Sequence, residues 1–168
     1  MRLLDRLYAA GAVLAAVFLL LIATLTLAQV IGRMVGVLIP DAGDFAGYAM
    51  AAAGFLALAH TLKRNEHIRV TLILGRLQGR ARRGLEIWAL SAAVLLAALF
   101  AFYSVRLAVV SWQLKDISTG NDATPLWIPQ LAMALGTVVL LVAFIDEWVM
   151  ELRGRRRTVE SAEALHNE

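Results

Sequence analysis

Four stretches of the chain, residues 7–32, 45–62, 87–105 and 123–145, contain no Asp, Glu, Lys or Arg, and together they make up about half of its 168 residues. A helix needs roughly 20 apolar residues, within a range of about 17–25, to cross the ~30 Å hydrocarbon core of a bilayer. Each stretch has that length. Because a helix pairs its own backbone groups, it can cross lipid without stranding them. The pattern therefore predicts an all-α integral membrane protein with four transmembrane helices, over residues of about 7–31, 45–62, 87–106 and 123–146. An outer-membrane barrel would alternate lipid-facing and lumen-facing residues along short strands, which these unbroken runs do not. The composition agrees: 60% of residues are hydrophobic and 17% charged, outside the usual range of soluble domains. The absence of cysteine excludes a disulfide framework and thiolate metal sites.

The net charge of +3 could suggest a nucleic-acid partner, but its distribution points to membrane orientation, and no nucleic acid is expected. Thirteen of the 16 Lys and Arg flank the chain termini or lie between spans two and three; only Arg33, Arg106 and Lys115 lie in the other two connections. Cytoplasmic loops concentrate Lys and Arg, and short connections follow that rule best. Both termini are thus expected in the cytoplasm. The first apolar run exceeds the 7–15 residues of a signal-peptide core, so it reads as a retained span.

The spans differ in character. Span two is rich in small residues, with Gly47, Ala51 and Gly54 at i, i+4 and i+7 and Gly43 four residues before Gly47. Small residues let helices approach closely in lipid, so Gly43, Gly47, Ala51 and Gly54 are the candidate packing face for a partner helix. Between spans two and three, Val70, Ile73, Leu74 and Leu77 share one helical face and Arg69, Arg76, Arg80 and Arg83 gather on an adjacent one. That pattern predicts a short amphipathic helix in the membrane interface, within residues 66–83, with membrane lipids as its partners. Span four has a marked approach: Asp122 or Thr124 is placed to cap it, Pro125 suits a first helical position, Pro129 starts or kinks the regular helix, and Trp127 belongs at the interface. Residues 1–152 form the membrane domain and residues 153–168 a charged cytoplasmic tail.

Chemistry of the usual kinds is missing. Ionisable residues at membrane depth mark ion pathways and substrate sites, yet the four cores hold no Asp, Glu, Lys or Arg. His60 lies near the end of span two beside Lys63 and Arg64, while His67 and His166 fall in a loop and the tail, so paired haem ligands are not expected. No catalytic motif, cofactor site or metal site is evident. Packing surfaces without transport chemistry favour an accessory or scaffold subunit. The alternative is an independent four-helix transporter acting as a homo-oligomer.

Two segments carry a family resemblance. One is Glu66-His67-Ile68-Arg69-Val70 after the Ala/Gly-rich span; the other is residues 118–130, STGNDATPLWIPQ, with Gly136 beyond. With four spans and this length, the chain resembles the small membrane subunit (DctQ type) of tripartite ATP-independent periplasmic, or TRAP, transporters. The resemblance implies a multi-pass protein of the bacterial inner membrane. It further implies sodium-coupled uptake of organic acids, often carboxylates, with a large membrane subunit and a periplasmic binding protein as partners. It gives Glu66, His67 and Arg69 a structural place where span two meets the lateral helix. Pro125 and Pro129 would shape the periplasmic entry to span four, and Asp41, Asp44, Lys115, Asp116 and Asp122 would face the binding protein. One departure is Thr71, where the family often has Asp.

Overall fold

The first three uncharged runs lie wholly within helices that outlast them, and the fourth, residues 123–145, is helical from residue 127. The computed structural model describes residues 3–37, 39–63, 79–119 and 123–153. Its helices are α1 (Leu3–Met34), α2 (Ala42–Lys63), α3 (Gly79–Leu114) and α4 (Trp127–Leu152), and no strand occurs among the described residues. All four are long and apolar enough to cross a membrane.

The ends of α1 and α3 use the same device. At α1, the Val37 N–H donates to the Gly32 carbonyl at 2.8 Å and the Gly36 N–H to Arg33. At α3, the Asp116 N–H donates to Ser111 at 3.0 Å and the Lys115 N–H to Trp112. Both are Schellman endings, which turn one residue into the left-handed region to satisfy the last free carbonyls. In α1 that residue is Gly36, with φ +76°; in α3 it is Lys115, with φ +53°. Glycine takes this conformation freely, whereas a residue with a Cβ is strained there by about 1–2 kcal/mol.

The start of α4 differs from the sequence expectation. The helix begins at Trp127, with Leu126 at its N-cap and no side-chain cap. Pro125 instead forms an antiparallel bridge with Ile117. Around it the Ser118 N–H donates to Thr124 at 2.8 Å and the Leu126 N–H to Asp116 at 3.0 Å. The backbone before Trp127 thus pairs across the loop, and Pro125 stands where no N–H is required. Pro129 falls in the first turn of α4, where its missing N–H costs no intrahelical bond. Asp122 lies outside the described residues.

The expected interfacial segment is described only at its end. Residues 79–83, Arg80 and Arg83 among them, are the first turns of α3 and not part of a separate lateral helix. Glu66, His67, Arg69 and Arg76 lie outside the described residues.

In space the helices follow the order α1, α2, α4, α3, with substantial packing only between neighbours in that order. α1 runs antiparallel to α2, and α3 antiparallel to α4. α2 and α4 run parallel, since Phe55 meets Gly136 near their middles and Lys63 meets Asp146 and Glu147 at their ends. The closest approaches occur at glycines. A Cβ on Gly136 would lie 2.5 Å from the Phe55 carbonyl oxygen, and one on Gly11 would lie 2.9 Å from that of Leu56. On α3 the buried residues Ala97, Ala101, Ser104, Ala108 and Ser111 form one helical stripe of small side chains. Close approach of small surfaces is the main source of helix association in lipid, and here it holds α2 to α4 and α3 to α4.

At one end of the bundle Tyr8 is buried with Ala59 and Ala143, and Leu62 and Val139 pack on them. Three helices therefore converge on a single aromatic ring. The Lys63 ammonium stands 5.6 Å from the centre of that ring. Arg83 donates to the Leu152 carbonyl at 3.1 Å, and the Trp148 indole donates to Ser91 at 3.0 Å, which fasten the α3 start to the α4 end.

Candidate functional site

Among the described residues no cluster of His, Cys, Asp or Glu could hold a metal ion. The candidate site is therefore a set of surfaces. The first is on α2, which has two small-residue faces. Ala42, Ala49, Ala52, Ala53 and Ala59 are buried inside the chain. Gly43, Gly47, Ala51 and Gly54 are all exposed, together with Met50. A Cβ added to Gly47 or Gly54 would meet nothing within 4 Å, and one on Gly43 would only reach the Gln29 carboxamide at 3.7 Å. The face singled out by its spacing is thus not used within this chain, and the intrachain contacts fall on alanines instead.

The second surface is the end of the bundle formed by the α1–α2 turn and the α3–α4 loop. Tyr48 near the start of α2 donates its hydroxyl to Ser118 of the loop at 2.9 Å. That bond brings the start of α2, with Asp41 and Asp44, to the same end as Asp116, Pro125 and Trp127. Asp41 is half-buried and adopts φ +59°, a conformation that Asp tolerates better than most residues. Its carbonyl accepts the Asp44 and Phe45 N–H groups, which opens α2. Asp44 and Pro125 are exposed, while Asp116, Trp127 and Pro129 are half-buried.

Some of the important residues were not marked by any motif. Lys63 forms ion pairs with Asp146 and with Glu147, the latter at 3.1 Å. Glu147 and Glu151 are buried acids near the end of α4. The available signal was an Asp-Glu pair at the end of an apolar span, on the side where the Lys and Arg residues collect. Gly11 stands four residues before the buried Ala15, a small-residue spacing no different from that on α2.

The sequence profile of the family described as tripartite ATP-independent periplasmic transporters, DctQ component, matches residues 22–154. The chain belongs to the DctQ family. The match takes in the last part of α1 and all of α2, α3 and α4, which includes both surfaces described above. As a DctQ protein, the chain is the small permease component of a TRAP transporter and a multi-pass membrane protein. The family is one of transporter components and not of enzymes. No curated protein and no solved structure gives a significant match.

Proposed function

We propose that this DctQ protein is the non-catalytic scaffold of its transporter, with the exposed small-residue face of α2 seated against the large membrane subunit. The observation that carries this reading is the open face itself: Gly43, Gly47, Ala51 and Gly54 lie exposed on a helix whose other small face is already packed. Lipid chains fill such a surface no better than a helix can, whereas a helix gains close van der Waals contact there. The charge asymmetry supports cytoplasmic termini in a bacterial inner membrane. The end carrying Asp41, Asp44, Asp116, Asp122, Pro125, Trp127 and Pro129 would then face the periplasm and help receive the binding protein. Sodium coupling and the organic-acid substrate, probed best on the whole transporter, would reside in the other subunits, consistent with spans free of Asp, Glu, Lys and Arg at their cores.

The test uses Gly47→Leu and Gly54→Leu in the full-length chain, purified in mild detergent from cells that express the whole transporter. Both positions open onto empty space, so each variant should fold and insert as the parent does. Copurification of a large polytopic partner should fall at least tenfold, about 1.4 kcal/mol of lost association. Normal copurification by both variants would remove α2 as the interface. A stable homo-oligomer of the parent, with no other protein, would favour the independent transporter.

A further inference from the structure

We propose that the groove formed by Trp112, Lys115, Ile117, Pro125 and Trp127 binds the phosphate of an anionic phospholipid, in the leaflet that meets this end of the bundle. The groove has a volume of about 550 Å³ and is lined by these residues and Gln113. Among the described residues its lining holds one cation and no carboxylate, Asp116 beside Lys115 being half-buried and outside that lining. Lys115 forms no ion pair among the described residues. Besides Lys115, its lining residues carry donors in the indole N–H groups of Trp112 and Trp127 and the carboxamide of Gln113. An ammonium flanked by such donors suits a phosphate monoanion. Tryptophan is the residue that settles at headgroup level, with its ring in the apolar zone and its N–H toward water.

Two further observations favour lipid over a soluble protein. Next to the groove the last turns of α3 expose Val109 and Leu114, and the loop that follows exposes Ile117. Where acyl chains cover that surface, a phosphate in the groove would sit directly above them. Lys115 also occupies the left-handed turn position that glycine fills in the matching ending of α1. The strained choice puts a cation in the groove, where glycine would close the helix equally well. Strain kept in place by its surroundings is a pointer to function.

The inference rests on the chain's crossing a membrane, and not on which protein seats against α2; it gives Pro125 and Trp127 to lipid and leaves Asp41, Asp44 and Asp116 at this end for the binding protein. It can be tested with the full-length chain in phosphatidylcholine vesicles. Trp88→Phe and Trp148→Phe, at the opposite end of the bundle, leave Trp112 and Trp127 as the fluorophores. Brominated phosphatidylglycerol should quench them about fivefold more effectively, mole for mole, than brominated phosphatidylcholine. Lys115→Gly should abolish the preference while helicity and thermal stability are kept, because glycine suits the turn. Lys115→Arg should retain it. Equal quenching by the two lipids, or a preference that survives Lys115→Gly, would overturn the proposal. Protection from both lipids in the assembled transporter would overturn it in favour of a protein contact.

Discussion

Gly136→Ala should separate α2 from α4 and sharply lower the yield of folded protein. A methyl at this position would stand 2.5 Å from the Phe55 carbonyl oxygen, 2.6 Å from its carbonyl carbon and 2.8 Å from its Cβ. All three atoms belong to the backbone of α2 or are fixed directly to it, so no rotamer change relieves the clash. The two helices must move apart, and every small-residue contact along their length weakens with distance. Overpacking a tight core costs about 1–3 kcal/mol, occasionally more. This site falls at the upper end, because α2 and α4 are the central pair on which α1 and α3 pack. Leucine at the same position should leave no folded chain. The control is Gly54→Ala, one residue before Phe55 but on the open face, which should leave thermal stability unchanged or slightly raised, since Ala is the better helix former. The measurement is the midpoint of thermal unfolding in detergent. Equal midpoints for Gly136→Ala and Gly54→Ala would show that the α2–α4 approach is not a constraint on the fold.

The contrast between those two glycines shows how far the sequence could be read. Lipid crossing depends on the length and uniformity of uncharged runs, which are local properties, so the four spans could be located from composition alone. The choice of which small residues touch depends on how far each helix is rotated about its axis, and spacing does not encode that rotation. Gly47, Ala51 and Gly54 have the regular stripe, yet Gly11, four residues before Ala15, and Gly136, four after Ala132, have small neighbours at the same spacing and make the close contacts. The start of α4 was misread for a related reason. Pro125 is acceptable at a first helical position and equally acceptable in a paired loop, and the pairing of Ile117 with Pro125 is a nonlocal fact. The chain itself leaves the face of Gly43, Gly47, Ala51 and Gly54 uncovered, and the proposal of a partner helix there rests on that. The DctQ resemblance was legible because its two segments keep their order and distance from the spans.

Lys63→Met should lower the unfolding midpoint by about 5–10 °C, from a loss of roughly 2–3 kcal/mol. Lys63 ends α2 and pairs with Asp146 and Glu147 of α4, with 19% of its side-chain surface exposed against 25% and 9% for the two acids. Removing the lysine leaves two adjacent carboxylates partly out of water without their shared cation. Stripping one partner from a fully buried pair costs about 3–5 kcal/mol, and residual solvent access reduces the loss here. The lysine also lies over the Tyr8 ring, where α1 meets Ala59 of α2 and Ala143 of α4, so α1 should loosen first. Proteolysis near the N-terminus should therefore accelerate before the bundle melts. A triple variant that adds Asp146→Asn and Glu147→Gln neutralises both acids and should recover most of the lost stability, because neutral groups at this site cost far less to desolvate. Recovery distinguishes a charge effect from lost packing of the lysine stem. If Lys63→Met unfolds at the parent's midpoint, the ion pairs contribute nothing to holding α2 and α4 in register, and the glycine contact at their centre carries that task alone.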